Sequence, residues 1–256
     1  MFGGIAPRYD LANHVLSLGL DFGWRRCLVR AVAAALKEGR DGSPSRPRTP
    51  RRGVPTLENN FDKDSKRENP LVVDLATGSG DVAFALKKHL GPGVAVRGYD
   101  FCRPMLVEAE RKKGALPWAR EIGFDWADCM ALPLADNSAD AVTIAFGLRN
   151  FADRARGLRE MLRVLRPGGS LFVLEFTQPL PWFRPLYYFY LRNLMPVAAG
   201  LITGRPEAYR YLNASIAAFP DRAALAEEMH AGGFAEVTYR GLAACSVALH
   251  VAVKSR

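Results

Sequence analysis

The sequence predicts a doubly wound α/β fold, with a mainly parallel sheet of seven strands that ends in an antiparallel hairpin. Short apolar runs alternate with helical patterns after Pro70, and the last helical pattern is followed by two closely spaced strand patterns. Repeated strand–helix–strand units imply parallel pairing through right-handed crossovers, with helices on both faces of the sheet. One α/β domain can occupy the full length of the chain, and we expect residues 1–256 to form a single domain.

Five apolar runs account for the parallel strands. They are LVVDLA (71–76), VAVRGYD (94–100), GFDWAD (123–128), DAVTIAFG (140–147) and SLFVLEF (170–176). Helical patterns at about 81–90, 104–113 and 153–165 separate four of these five runs. A final helix over Arg222–Ala231 ends at two glycines, and a Gly-Leu-Ala-Ala-Cys link can then join EVTYR (236–240) to SVALHVAV (246–253) as a hairpin.

Two segments precede this core. Apolar residues recur at helical spacing from Tyr9 to Leu36, punctuated by Gly19 and Gly23, so we expect two helices that form an N-terminal cap over residues 1–38. Residues 39–69 are rich in Gly, Pro, Ser and Arg and show little apolar periodicity, which predicts a disordered basic insertion.

Composition and charge argue against several classes of protein. The net charge is +9, but five arginines and one aspartate fall within residues 40–52, without interleaved aromatic residues, so no nucleic acid partner is expected. The cysteines and histidines are scattered and form no CxxC pair, so no metal site is expected. The N-terminus does not resemble a signal peptide, and charges and prolines interrupt the apolar stretch 181–204, so we expect a cytoplasmic protein without a membrane span.

The first predicted strand runs into a glycine turn and then a helix, in VVDLATGSGDVAFAL (72–86). Gly78 and Gly80 permit positive φ and a close approach of the main chain, and free N–H groups at the helix N-terminus attract a negative group. This turn lies at the carboxyl end of its strand, where open α/β sheets bind ligands. Asp100 closes the second strand, where a carboxylate can accept hydrogen bonds from both ribose hydroxyls. Together these features predict a cofactor of the adenosine type.

The same turn also fits the dinucleotide fingerprint G-x-G-x-x-G/A, so a nicotinamide enzyme is an alternative interpretation. The chain contains no Tyr-x-x-x-Lys pair of the short-chain reductase kind, which argues against it. An acidic residue, Asp74, also precedes the glycines inside the first strand. An aspartate there is placed to orient the amino group of a methionine moiety.

Further motifs extend along the whole chain. They are D-L-A-T-G-S-G-D (74–81), D-F-C-R-P-M-L (100–106), A-L-P-L-A-D-N-S-A-D-A-V (131–142), F-G-L-R-N (146–150), R-V-L-R-P-G-G (163–169), E-A-Y-R-Y-L (207–212) and S-I-A-A-F-P (215–220). In this order they resemble the ubiquinone/menaquinone biosynthesis C-methyltransferase family, whose opening is also similar to residues 1–11. F-G-L-R-N and E-A-Y-R-Y-L are the most particular of these motifs, because the others are shared by many methyltransferases. Only the insertion at 39–69 has no counterpart.

The resemblance implies a Rossmann-like class I fold and S-adenosyl-L-methionine as the cofactor. It further implies that Ser79 and Asp100 contact the cofactor, while Asp128 and Cys129 flank the adenine. Ala145 stands where some members carry a small hydroxyl-bearing residue. The implied substrate is a prenylated quinol, methylated at a ring carbon. The D-L-A-T-G form is closer to menaquinone-type members, so conversion of demethylmenaquinol to menaquinol is the expected reaction.

Arg149 and Asn150 are the candidate catalytic residues. A quinol ring carbon becomes nucleophilic when a neighbouring hydroxyl loses its proton, so the site must stabilise phenolate charge. Arg149 can stabilise this charge and Asn150 can orient a water or hydroxyl, although an arginine pKa above about 12 makes it a poor base. In the alternative, structural interpretation, Arg149 pairs with Asp153 or Asp140, and Asn150 caps the helix that begins near Asp153.

The later part of the chain is expected to serve the substrate. Residues 70–177 form the cofactor-binding core in this interpretation, 178–220 a substrate-side helical segment, and 221–256 the final helix and hairpin. The stretch 181–202 is apolar around most of its circumference, so it is expected to bind the prenyl tail and to contact a membrane surface transiently. The alternative roles are a homodimer interface or ordinary core. Three tyrosines are further candidates for ring contact: Tyr9, Tyr209 and Tyr211.

Three competing functions stay open at this point. The first is methylation of another small molecule. The second is nucleic-acid methylation, disfavoured because the chain has no Pro-Pro pair and hence no Asp/Asn-Pro-Pro-aromatic motif. The third is a non-catalytic module that keeps the cofactor fold in order to assemble other enzymes.

Overall fold

The computed structural model describes residues 17, 19–41, 69–195 and 206–256, without the side chains of 38–41 and 206–210. These residues form one sheet in the order β3-β2-β1-β4-β5-β7-β6. The strands are β1 Leu71–Leu75, β2 Ala95–Asp100, β3 Gly123–Trp126, β4 Ala139–Ala145, β5 Leu165–Phe176, β6 Glu236–Leu242 and β7 Val247–Val253. The α-helices are α1 Leu20–Asp41, α2 Asp81–Leu90, α3 Arg103–Gly114, α4 Arg154–Val164, α5 Arg184–Phe189, α6 Pro206–Ala218 and α7 Arg222–Ala231.

The strand pairing confirms the predicted fold class. Strands β3, β2, β1, β4 and β5 pair in parallel, and β7 pairs antiparallel with both β5 and β6. Helices follow β1, β2 and β4 and return the chain to the opposite edge, as parallel pairing requires. The antiparallel hairpin β6–β7 completes a seven-stranded sheet in the described part of the chain.

Both faces of the sheet are buried at its central strands β1, β4 and β5. Successive strand side chains point to opposite faces, so Val72 packs with α1 and α2 while Val73 packs with α4 and α7. The side chains that these four helices contribute include Leu28, Val32, Val82, Leu86, Leu158, Met161, Leu225 and Met229. Burial on both faces explains why the parallel strands read as continuous apolar runs rather than alternating ones.

The N-terminal helix differs from the prediction. Gly19 has a φ of 73° and precedes the helix, but Gly23 lies within α1, which continues to Asp41. Burial of Leu28, Val32 and Leu36 outweighs the cost of about 1 kcal/mol of one helical glycine. The expected boundary at residue 38 therefore falls inside this helix. The first expected helix lies outside the described residues, as does the insertion from residue 42 to 68.

Two other boundaries also differ. Strand β5 begins at Leu165, directly after α4, because Leu165 pairs with Ala139 before a register shift that contains Gly168 at a φ of 74°. Strand β6 extends to Leu242, so the hairpin turn consists of residues 243–246, of which Ala243, Ala244 and Cys245 have positive φ. None of the helices in the described ranges is long and apolar enough to cross a membrane.

Candidate active site

A cavity of about 1100 Å³ opens at the carboxyl ends of the parallel strands. Residues that follow β1, β2, β3, β4 and β5 all contribute to its wall. Strand β1 has β2 on one side and β4 on the other, so the strand order reverses here. Open α/β sheets bind their ligands at such a reversal, which makes this cavity the candidate active site.

The glycine turn forms one end of the cavity. Gly78 and Gly80 have φ values of 58° and 87°, a region that side-chain-bearing residues rarely adopt. A Cβ at Gly80 would lie 2.7 Å from Cζ of Phe124 and 2.8 Å from Cε2 of Phe84, so no larger residue fits there. Helix α2 begins immediately afterwards at Asp81. Gly78 lines the cavity, whereas Gly80 shapes the turn without lining it.

Asp100 stands beside this turn at the end of β2. Its two carboxylate oxygens accept hydrogen bonds from the main-chain N–H groups of Gly78 and Cys102, each at 2.7 Å. Burial raises the pKa of Asp100, while the hydrogen bonds from the main chain act in the opposite direction. The carboxylate lines the cavity, so it offers acceptor capacity next to a main-chain cradle. This combination fits a ribose whose hydroxyls donate hydrogen bonds.

Asp74 lines the cavity and is deeply buried, with 1% of its surface exposed. It accepts hydrogen bonds from the hydroxyls of Thr77 and Thr143, each at 2.6 Å. Burial raises the pKa of Asp74 to about 7, because desolvation outweighs the stabilisation from the two hydroxyls. A cation in the adjoining cavity would favour the ionised carboxylate.

Ser79, Asp128 and Cys129 also line the cavity. Asp128 accepts a hydrogen bond from the main-chain N–H of Met130 at 2.9 Å, which orders the loop after β3. Burial raises the pKa of Cys129 to about 12, so its thiol stays protonated. The Ser79 hydroxyl accepts a hydrogen bond from Nζ of Lys112 at 3.0 Å. The structure therefore places all of the sequence-predicted cofactor residues except Gly80 in the lining of one cavity.

Arg149 also lines the cavity, from a short 3-10 turn after β4. Its Nη1 atom is 2.8 Å from Oε1 of Glu175, and the two side chains are only 4% and 1% exposed. The guanidinium also lies over the ring of Phe176, 5.3 Å from its centroid. Arg149 is therefore half of a buried ion pair in the wall of the cavity.

The structural interpretation of Arg149 and Asn150 predicted the wrong partners for both residues. Asp140 pairs with Arg166 at 2.6 Å, because the two residues lie at the starts of the neighbouring strands β4 and β5, whereas Arg149 follows the end of β4. Asp153 is itself the N-cap of α4 and accepts a hydrogen bond from the N–H of Arg156, so Asn150 does not cap that helix. Asn150 instead accepts a hydrogen bond from the Tyr211 hydroxyl at 3.3 Å. Tyr9 and the side chain of Tyr209 lie outside the described residues.

Apolar and aromatic side chains form a further part of the cavity wall. Five of its members come from α5 and from the π-helical turn Tyr190–Leu194 that continues it, and Phe183 directly precedes α5. The five are Leu186, Tyr187, Phe189, Tyr190 and Leu194. Trp24 of α1 and Phe146 complete this wall, with ring centroids 5.9 Å apart. Phe146 in turn lies 4.9 Å from the ring of Phe176. The cavity therefore combines a polar cradle with an aromatic chamber.

Several of these residues were missed at the level of sequence. Glu175 carried a signal, because it is the only charged residue in the apolar strand run SLFVLEF. Trp24 carried none, since nothing local indicates that the N-terminal helix covers the site. Arg25 of the same helix bonds Asp81 at 2.6 Å and so ties this helix to the glycine turn. Ala76 and Phe146 have positive φ, a strained conformation that clusters at functional sites.

The sheet order, the glycine turn and the carboxylates that follow β1 and β2 together define a class I S-adenosylmethionine-dependent methyltransferase. A family model described as the ubiE/COQ5 methyltransferase family matches residues 57–254. The chain belongs to this family.

Relatives and solved structures agree with this assignment. A demethylmenaquinone methyltransferase of Thermus thermophilus is 44% identical over 252 residues, which are 98% of each chain. A ubiquinone/menaquinone biosynthesis C-methyltransferase of Geobacter sulfurreducens is 36% identical and spans 94% of this chain and 81% of its own. A SAM-dependent methyltransferase structure from Aquifex aeolicus shares the fold, with a TM-score of 0.52, 18% identity and coverage of 72% and 81%. The predicted family, fold class and cofactor are thus confirmed, and the nicotinamide alternative is wrong.

Proposed function

We propose that this methyltransferase transfers a methyl group to a ring carbon of a prenylated quinol and converts demethylmenaquinol to menaquinol. The observation that carries the proposal is the single cavity in which a polar cradle opens onto an aromatic chamber. Its volume of about 1100 Å³ exceeds the roughly 300–1,000 Å³ of a typical site for one small ligand. Room for a cofactor and an apolar acceptor together supports this substrate class.

The polar cradle would hold S-adenosylmethionine, which supplies an activated methyl group on its sulfur. Asp100 would accept hydrogen bonds from the ribose hydroxyls, while Asp128 and Cys129 would flank the adenine. Gly78, Gly80 and Ser79 would let the main chain approach the methionine portion. Asp74 would face its amino group. The burial and hydrogen-bond chemistry of these residues support each role.

Arg149 would stabilise the phenolate that makes the ring carbon nucleophilic. Glu175 accepts two hydrogen bonds from Arg149, one from Nη1 of the guanidinium at 2.8 Å and one from the main-chain N–H at 3.3 Å, and so fixes both the side chain and its turn. A buried cation fixed before the reaction need not reorganise as negative charge develops on the quinol oxygen. Asn150 would orient a water or the second hydroxyl, with Tyr211 holding its amide.

The proton balance of the reaction follows from this arrangement. The quinol hydroxyl first loses its proton to water, and the oxygen charge beside Arg149 increases electron density on the neighbouring ring carbon. That carbon then forms a bond to the methyl group as the carbon–sulfur bond breaks. The ring proton at the same carbon leaves last, which restores the aromatic ring as a phenolate, and the oxygen then takes one proton back from water to give the quinol. One proton is released per methyl group transferred.

The rim of the chamber supports a transient contact with the membrane surface. Leu186 and Phe189 line the cavity yet are 62% and 56% exposed, and Trp182 beside them is 73% exposed. Exposed Arg184 and Arg192 flank this apolar rim. Apolar and aromatic side chains with flanking cations suit an anionic lipid interface, where a long-tailed quinol resides. We therefore place the protein in the cytoplasm, at the inner face of the membrane.

Sedimentation with vesicles tests this surface. The protein should bind vesicles that contain anionic lipid more strongly than neutral ones, and Trp182→Ser with Leu186→Ser should weaken that binding. A homodimer that dissociates in the double variant, without any binding to vesicles, would show that the rim is a subunit interface instead.

Turnover tests the function itself. Incubation with methyl-labelled cofactor and demethylmenaquinol should give labelled menaquinol, and a benzoquinol with the same tail serves as the matched comparison. Faster turnover of the benzoquinol would reassign the substrate. Binding of the cofactor without turnover of either quinol would favour a non-catalytic assembly role, and turnover of an unrelated acceptor would favour another small molecule.

A further inference from the structure

The carboxylate of S-adenosylmethionine has no partner among the roles proposed above. The cofactor carries two cationic groups, a sulfonium and an ammonium, and one anionic group, the carboxylate of its methionine portion. Among the described residues, five aspartates and two arginines line the cavity. The aspartates suit the cationic groups. A carboxylate that leaves water needs a charged partner or hydrogen-bond donors, so the two arginines are the first candidates for it.

The two arginines differ in their surroundings. Arg149 forms an ion pair with Glu175, and the two side chains are only 4% and 1% exposed. Its proposed role is at the methyl acceptor. The side chain of Arg25 keeps 16% of its surface exposed and lines the same cavity from helix α1. Arg25 is therefore the arginine that a ligand in the cavity can reach more readily.

Arg25 lies beside the glycine turn, where the methionine portion of the cofactor is proposed to lie. Its Nη1 atom is 2.6 Å from Oδ2 of Asp81, the residue that directly follows Gly80 and begins α2. Asp81 also bonds Nζ of Lys112 at 2.8 Å, and the same Nζ is 3.0 Å from Oγ of Ser79. Both Ser79 and Asp81 line the cavity. Direct contacts thus place the guanidinium at the cofactor cradle.

Two acids hold the Arg25 guanidinium in position. Nη2 bonds Asp21, one turn earlier in α1, while Nη1 bonds Asp81 of α2. Burial by itself would raise the pKa of Asp81, but the charges of Arg25 and Lys112 outweigh burial and lower it, so this carboxylate is ionised at neutral pH. A guanidinium presents five N–H donors in one plane and can bridge several carboxylates. A cation that is already ordered loses little side-chain freedom when a ligand binds.

We propose that Arg25 binds the carboxylate of the methionine portion of S-adenosylmethionine, and that helix α1 is therefore part of the cofactor site. The inference rests on the proposed placement of the methionine portion at the glycine turn. Asp74 and Arg25 would then meet the two opposite charges of the amino acid group, with the ammonium at Asp74 and the carboxylate at Arg25. Hydrogen bonds between ionised groups are among the strongest in proteins, so the contact should contribute measurably to affinity.

The test compares S-adenosylmethionine with decarboxylated S-adenosylmethionine, which lacks only the carboxylate. In Arg25→Ala, the affinity for S-adenosylmethionine measured by calorimetry should fall about 10- to 100-fold, as for the loss of a hydrogen bond between charged groups. The affinity for the decarboxylated ligand should stay nearly unchanged. Arg25→Lys keeps the charge and should recover part of the loss. Arg26→Ala is the matched control, because Arg26 is exposed on the same helix and lies outside the cavity lining; it should change neither affinity.

Asp81 requires a second control, because the loss of Arg25 takes one partner away from this carboxylate. Repulsion from Asp81 would weaken binding even without direct contact between Arg25 and the cofactor. We therefore expect Arg25→Ala to lower the affinity for S-adenosylmethionine by a similar factor when it is made in an Asp81→Asn protein. Disappearance of the loss in that protein would overturn the direct contact.

The ligand pair also separates binding from a purely structural role. Equal losses for the two ligands in Arg25→Ala would mean that Arg25 only attaches α1 to the glycine turn, and an unchanged affinity for both would exclude any role in binding; either result would overturn the inference. If Arg25→Ala does not fold, Arg25→Met replaces it, because methionine keeps much of the side-chain length without the charge. These titrations contain no quinol, so their result is independent of which acceptor is methylated.

Discussion

Replacement of Asp100 by alanine probes the cofactor cradle most directly. The carboxylate accepts two main-chain hydrogen bonds, from Gly78 and Cys102, each at 2.7 Å, and is proposed to accept two more from the ribose. The alanine variant therefore loses both the ribose acceptors and part of the order of the glycine turn. Sequence alone predicts loss of binding with an intact fold. The two main-chain bonds add an expected loss of stability.

The size of each effect can be estimated from these contacts. A hydrogen bond to a charged group contributes about 1.5–3 kcal/mol, so loss of one ribose bond weakens cofactor binding at least about tenfold. Loss of both would weaken it by roughly 10²- to 10⁴-fold. The unpaired N–H groups of Gly78 and Cys102 should lower the free energy of unfolding by about 1–3 kcal/mol. Asp100→Asn should fall between, because its amide nitrogen must face one of these N–H groups.

Calorimetric titration with S-adenosylmethionine, well below the melting temperature of each variant, measures the affinity separately from the stability. Asp125→Ala is a suitable control, because this exposed aspartate lies on neighbouring β3 and outside the cavity. It should bind the cofactor like the wild type. An Asp100→Ala protein that melts at a lower temperature but binds the cofactor with unchanged affinity would refute the ribose assignment and leave Asp100 as a structural residue of the turn.

Three further predictions concern the chemistry, the tail and the pH dependence. Arg149→Ala should lower turnover about 10²- to 10³-fold with little change in cofactor affinity; a variant that only melts lower and keeps full turnover per folded molecule would support a purely structural ion pair. Phe183→Ser with Phe189→Ser should raise the Michaelis constant for a long-tailed quinol far more than for a tail-less analogue, whereas equal losses would indicate packing. Burial raises the pKa of Asp74 in the folded protein from 3.8 to about 7. The free energy of unfolding of the cofactor-free protein should therefore fall by up to about 4 kcal/mol as pH rises from about 4 to 7, and then level off. Asp74→Asn should abolish this dependence, and an unchanged slope in that variant would assign it to other groups.

The fold could be predicted from the sequence because the strand, helix and turn patterns that define it each lie within a short segment. Each of the five parallel strands lies within two residues of its expected start, except β5, which begins at Leu165 rather than at residue 170. A run such as R-P-G-G indicates a turn, and only the pairing of Leu165 with Ala139 keeps it within the strand. The helix break predicted at Gly23 was wrong for a similar reason, because the burial of α1 against the sheet outweighs the low helix propensity of one glycine.

The cofactor residues could also be predicted from the sequence, because the cradle is built from one turn and the ends of two neighbouring strands. The glycine spacing and the acids at positions 74 and 100 all depend on residues close along the chain. Their placement then follows from the parallel sheet, in which strand ends meet at one edge. The ion-pair partner of Arg149 could not be predicted in this way. Asp140 and Asp153 are closer to Arg149 in sequence than Glu175 is, so local sequence favours the wrong acids.

The sequence by itself determined the class of fold, the family and the region that meets the cofactor, because these depend on periodicity, turn chemistry and motif order within short segments. Only the tertiary structure decided what surrounds the methyl acceptor. Glu175 reaches Arg149 because β4 and β5 are neighbours, and Trp24 reaches Phe146 because α1 packs over the sheet. Burial and pairing are set by segments that are distant in sequence, and the substrate chamber is made from such segments.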